Sequence, residues 1–125
     1  MNASLRFFWL FACVNALLSI GVGAAAAHAL TLSVQDVQTL AWALDLQRFH
    51  ALALLVLVLF VRQGGLQVWT MASGALMVVG TLLFSINIEL RLLLGLAQLR
   101  PLVPWGGMAW MLAWLTLAIA YWRSP

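Results

Sequence analysis

Apolar residues fill four long stretches of this chain, residues 7–29, 40–61, 66–88 and 105–122, and polar residues gather in the breaks between them. Each stretch has roughly the 20 residues that a helix needs to cross the hydrocarbon core of a bilayer. Lipid offers no partner for a backbone N–H, so a spanning segment must satisfy its own hydrogen bonds as a helix. The pattern predicts an all-α protein, an integral membrane bundle of four transmembrane helices. Composition agrees. Of 125 residues, 66% are hydrophobic and 7% are charged, too little polar surface to cover a water-soluble fold of this size. The breaks are short and none is a Ser-, Pro- or charge-rich linker, which predicts a single domain over residues 1–125.

The charges are few and informative by position. The chain has no lysine; the basic residues are Arg6, Arg48, Arg62, Arg91, Arg100 and Arg123, the acids Asp36, Asp45 and Glu89. No basic run or face exists, so nucleic acid is excluded as a partner, and the lipid bilayer is the surrounding the composition implies. With four spans, Arg6, Arg62 and Arg123 share one side with both termini. Arg100 lies in the second loop of the other side, with Arg48, Arg91 and all three acids near that side's helix ends. This bias predicts a bacterial inner-membrane protein with both termini in the cytoplasm. Arg6 followed by an apolar run and small residues at 24–29 also has the outline of a secretory signal. The run is long for a signal core, which favours a retained first helix. Cys13 stands alone, cannot form an intrachain disulfide and reads as a packing residue.

Small residues recur at helical spacing. Asn15, Ser19, Gly23 and Ala27 form one stripe of the first helix. Ser73, Gly74, Gly80, Thr81 and Ser85 lie on the third, and Gly106, Gly107, Ala109, Ala113, Thr116 and Ala120 on the fourth. Such stripes let backbones approach closely in lipid, and Gly23, Gly80, Gly106 and Gly107 are the expected packing positions. Four helices use only some of these stripes among themselves, which suggests a homo-oligomer or a membrane-protein partner. Ser33 and Asp36 read as an N-cap pair opening a short interfacial helix that runs into the second span. Pro104 suits the first turn of the fourth helix, Trp105 and Trp122 suit the two interfaces, and Trp110 and Trp114 suit packing against lipid or a neighbour.

Ionisable and strongly polar groups within spanning helices are costly, so they are the candidates for function. They are Asp45, Gln47, Arg48 and His50 on the second helix, Ser19 and Ser85 on its neighbours, and His28 and Glu89 at the outer helix ends. Counted at about 1.5 Å per residue from the inner surface, His28 and Glu89 lie roughly 33 Å up and His50 roughly 18 Å up. This spacing keeps the two histidines from sharing a metal or haem, so no metal site and no cofactor is expected. Asp45 and Arg48 are three apart and can pair on one face, and Arg48 can also reach toward Glu89. For His50 two readings stand. It is a buried neutral imidazole bonded to Ser19 or Thr81, or it is a station on a proton path shared with Gln47. No hydrolase, kinase or dinucleotide motif is present, so no enzyme is predicted.

Four elements, in order, give a resemblance over nearly the whole chain. They are Gly23-Ala24-Ala25-Ala26-Ala27-His28 closing the first helix, Leu46-Gln47-Arg48-Phe49-His50-Ala51-Leu52-Ala53-Leu54 within the second, Gly80 to Phe84-Ser85 in the third, and Pro104-Trp105-Gly106-Gly107 with Trp114 in the fourth. In these the chain resembles the YgdD/YwdK-like family of small membrane proteins, a domain of unknown function. It departs from the family pattern at Ala26, where the family has Gly, at Leu46, where it has Tyr, and at Glu89, where it tends to have Tyr. The resemblance implies a four-helix membrane protein with no established activity, and it points to Gln47 and His50. Two functions are consistent with these readings: a non-enzymatic protein acting through helix contacts with itself or a partner, or a carrier or channel for a small solute or proton around His50 and Gln47.

Overall fold

The computed structural model of the chain describes residues 2–64 and 67–123. These residues form four helices long and apolar enough to cross a membrane, Ala3–His28, Val34–Gly64, Val68–Leu94 and Ala97–Trp122. No strand occurs among the described residues.

Every helix outruns its apolar stretch, and the extra length has local causes. The first begins at Ala3 rather than at residue 7, because the Asn2 side chain accepts the Leu5 N–H at 2.9 Å and caps it. The second is capped by Ser33, whose Oγ accepts the Asp36 N–H at 3.1 Å. The expected interfacial helix and second span are one continuous helix of 31 residues. At 1.5 Å per residue that is about 46 Å, longer than a hydrocarbon core of about 30 Å.

The hairpin expected at residues 62–65 and the third span's expected start at Leu66 include Gly65 and Leu66, which lie outside the described residues. The third helix is seen from Val68, and it does not stop at Ile88 as expected. It continues to Leu94 and closes on Gly95, whose φ of 71° belongs to the left-handed region that glycine enters without strain. Midway it carries a π turn, Leu82–Ile86. A π turn adds a residue to the helical repeat and rotates the residues beyond it onto a different face. The fourth span opens with a 3-10 turn, Ala97–Leu102, and is α-helical over Val103–Trp122 with Pro104 in its first turn.

The first helix packs mainly on the second and the third on the fourth, and contacts between second and third join the two pairs. The apolar core includes Phe8 and Ala12, Leu54 and Val58, Met77, and Ala113, one group from each helix. Near the C-terminal end of the fourth helix the Arg123 guanidinium lies over the Trp69 ring, 5.6 Å from its centroid. The first helix sits at the edge of the bundle. Its buried residues are only Leu5, Phe8, Ala12, Asn15 and Ser19.

Candidate functional site

Gln47 is the centre of the polar interior. Its side chain is fully buried and its Nε2 donates to Asn15 Oδ1 of the first helix at 2.9 Å. Asn15 is held in turn by donating Nδ2 to the Phe11 carbonyl at 2.9 Å. One turn further along the first helix, Ser19 accepts Arg48 Nε on its Oγ at 3.2 Å and Arg48 Nη2 on its carbonyl at 3.0 Å; the remaining bond of Arg48 is to its own helix. Its Nη1 pairs with Asp45 at 3.3 Å, as their spacing of three predicts. Gly23 stands next in the stripe and faces the Arg48 guanidinium and Leu44. The stripe Asn15, Ser19, Gly23 therefore faces the second helix, and its polar members bond across that interface.

Glu89 is not at a helix end. It is buried, and its carboxyl comes within reach of the Gln47 side-chain amide. Two causes correct the expectation. The third helix runs on past Glu89, so this residue is inside a helix and not at its end. The π turn rotates the residues beyond it onto another face, and within the turn Ser85 Oγ donates to the Ala43 carbonyl of the second helix at 2.6 Å. Helical side chains lean toward their own N-terminus, so in this antiparallel pair Glu89 and Gln47 lean in opposite directions, toward each other. Two oxygens of the pair, Gln47 Oε1 and Glu89 Oε1, are buried without a hydrogen-bond partner.

His50 points into the bundle, but its partners are not Ser19 or Thr81. Ser19 is engaged by Arg48, and Thr81 Oγ1 donates to the Met77 carbonyl of its own helix at 2.9 Å. The imidazole is held by the fourth helix. Its Nε2 accepts from Trp114 Nε1 at 3.2 Å, and its ring stacks on Trp110 at 4.1 Å between centroids with planes 2° apart. Since Nε2 is an acceptor, the ring proton belongs on Nδ1, which lies 2.8 Å from the Leu46 carbonyl. Both nitrogens of a neutral ring are thus engaged. Trp110 is fixed as well, donating Nε1 to the Met77 carbonyl at 3.2 Å.

The two indoles are the part of the site that sequence reasoning missed as polar partners. The available signal was two N–H-bearing rings four apart on one helix, each needing an acceptor in lipid. Asn87 was missed too. Its Nδ2 donates to the Leu99 carbonyl at 2.7 Å and ties the third helix to the 3-10 turn. His28 is exposed at the C-terminal end of the first helix, apart from the buried cluster. Of the expected packing glycines, a Cβ at Gly80 would overlap the Trp110 ring and one at Gly106 would lie 2.6 Å from the Phe84 nitrogen. Gly107 has only the Phe84 ring near it, at 4.0 Å. Among the described residues no three His, Cys, Asp or Glu side chains come together to hold a metal.

Residues 22–107 match the model of a family described as "Protein of unknown function (DUF423)". The matched segment contains all of Gln47, His50, Ser85, Glu89 and Gly106. The chain belongs to this family. It is 30% identical over 119 residues to the UPF0382 membrane protein YwdK of Bacillus subtilis (strain 168), a match covering 93% of this chain and 96% of that protein. It is 28% identical over 117 residues to the UPF0382 inner membrane protein YgdD of Escherichia coli (strain K12), covering 91% and 88%. The UPF0382 membrane protein SAB0533 of Staphylococcus aureus (strain bovine RF122 / ET3-1) is 29% identical over 119 residues, covering 93% and 95%. No solved structure matches the chain. With its four apolar helices, the chain is a multi-pass membrane protein of a family whose molecular function is unknown.

Proposed function

We propose that this is a non-enzymatic protein of the bacterial inner membrane that acts through helix contacts with a second copy of itself or a membrane partner. The observation that supports it is the edge position of the first helix. Phe7, Leu10, Val14, Leu17 and Ile20 all stand exposed along it, and Cys13 is exposed among them. The small-residue stripes do not carry this proposal, because Gly23, Gly80 and Gly106 are used inside the bundle. Cys13 supplies the test. Oxidative cross-linking in native membranes should give a cysteine-dependent band near twice the 13.7 kDa chain mass, or a heavier adduct with a partner. The band should vanish in Cys13→Ser. Monomer alone, from Cys13 and from single cysteines placed at Leu10 and Leu17, would remove the proposal.

The orientation proposed with it puts both termini in the cytoplasm, from Arg6, Arg62 and Arg123 on one side. A reporter active only in the periplasm, fused after Pro125, a residue outside the described ones, should be silent. Strong activity there would reverse the orientation.

A second reading is a carrier or channel for a proton or small solute. It is favoured by the orphaned oxygens of Gln47 and Glu89, since a proton on the carboxyl would supply the missing donor. His50 has a smaller part in it than expected, because both ring nitrogens are occupied by Leu46 and Trp114. This reading requires pH-driven proton flux in proteoliposomes that Glu89→Gln abolishes. Flux equal to that of empty liposomes rules it out.

A further inference from the structure

The outer end of the bundle holds a groove that the helix-contact reading does not use. Three segments wall it: the first turns of the second helix, the end of the third, and the 3-10 turn leading into the fourth. Its upper part is a polar cleft of about 270 Å³ between Gln35, Asp36, Thr39, Arg91 and Arg100. Its lower part, about 440 Å³, shares Thr39, Arg91 and Arg100 and continues down an apolar wall that includes Trp42, Phe84, Ile88 and Val103.

Charge sets the character of this groove. Arg91 and Arg100 come from different elements and line both parts, and no side-chain carboxylate among the described residues lies within 4.0 Å of either. The one acid in the groove, Asp36, is thus not paired with them. Arg91 Nε is buried without a partner, although a guanidinium N–H removed from water needs an acceptor. Arg100 is held in place through its turn, because Asn87 bonds the carbonyl of the preceding Leu99. Trp42 is 73% exposed beside them, as an indole at the membrane interface would be.

We propose that this groove binds one anionic phospholipid of the outer-facing leaflet, with the phosphate between Arg91 and Arg100 and an acyl chain along Trp42, Phe84 and Val103. Two planar guanidinium forks match the oxygens of a phosphodiester. The apolar wall runs down from the arginines into the depth of the hydrocarbon, so the occupant is a lipid and not a free anion. Asp36 at the upper rim adds a carboxylate, which suits a headgroup with hydroxyls, such as glycerol, that can donate to it.

The test uses the full chain purified in mild detergent and stripped of lipid, with native mass spectrometry after lipid is added back. Phosphatidylglycerol should be retained as a single adduct, at least about tenfold more strongly than phosphatidylcholine of the same chain length. Arg91→Gln with Arg100→Gln should lose that preference, while Arg6→Gln, at the other end, should keep it. Arg100→Gln alone, an exposed change that leaves packing intact, should weaken the adduct in the same direction if the double variant folds poorly. Equal retention of the two lipids by the wild-type chain, or an undiminished preference in the Arg100→Gln variant, overturns the site. Competition by inorganic phosphate at concentrations similar to the lipid would show a site for the free anion and overturn the lipid assignment.

Discussion

Replacing Trp110 by alanine is expected to lower the stability of the folded bundle by about 3–5 kcal/mol, the range for deleting a large buried aromatic. Trp110 is 4% exposed and meets three parts of the structure at once. Its ring covers the face of His50, its centroid lies 5.0 Å from that of the tilted Phe84 ring of the π turn, and its N–H bonds the Met77 carbonyl. Lipid does not favour helix association by the hydrophobic effect, so packing and interhelical hydrogen bonds carry the assembly. Losing this ring removes both. Trp110→Phe keeps most of the packed area and removes only the N–H bond, for which about 0.6–2 kcal/mol is typical within membranes. Unfolding in mixed micelles, titrated with a denaturing detergent, measures both variants. If the alanine variant lost no more than the phenylalanine variant, the stacked arrangement with His50 would be incidental to the fold.

His50 marks where the sequence stops being sufficient. Its burial and inward direction follow from an imidazole placed in the apolar middle of a span. Its partner does not, because height along the bundle constrains a contact while rotation about each helix axis decides it. Ser19 is at a plausible height yet belongs to Arg48, which also has the longer reach. Local features were more legible. The Arg48–Asp45 pair follows from a spacing of three, the Ser33 cap from the polar segment before the second span, and the first helix's contact stripe from Asn15, Ser19 and Gly23 at intervals of four. Glu89 was misplaced for a definite reason. The apolar stretch ends at Ile88 while the helix runs on to Leu94, and nothing in Leu82-Leu83-Phe84-Ser85-Ile86 announces the π turn that rotates the residues beyond it. That turn packs against Gly106 of the fourth helix, a contact that lies outside any local reading.

The same contact sets Gly106 apart from the other described glycines, because the atoms that a Cβ would meet there include backbone. It is buried against the π turn, and a Cβ built there would lie 2.6 Å from the Phe84 nitrogen, 2.8 Å from its Cβ and 2.9 Å from the Leu83 carbonyl carbon. Backbone cannot swing aside as a long side chain can, so the helices themselves would have to separate. Gly106→Ala is therefore expected to cost about 1–3 kcal/mol, even though alanine is the better helix former. Gly106→Leu is expected to keep the fourth helix off the third altogether. Gly107→Ala is the control, since its nearest neighbour is the Phe84 ring at 4.0 Å. It should be neutral or stabilising by up to about 1 kcal/mol. The consequence reaches the polar interior. The fourth helix braces the turn that brings Ser85 to the Ala43 carbonyl and Glu89 toward Gln47, so Gly106→Leu should also open the Ser85–Ala43 contact. Cysteines placed at Ala43 and Ser85 should cross-link in the parent chain and fail to do so with Gly106→Leu added, each read in a Cys13→Ser background. Undiminished cross-linking there would show that the π turn stands without the fourth helix, and its origin would then have to be sought in the second.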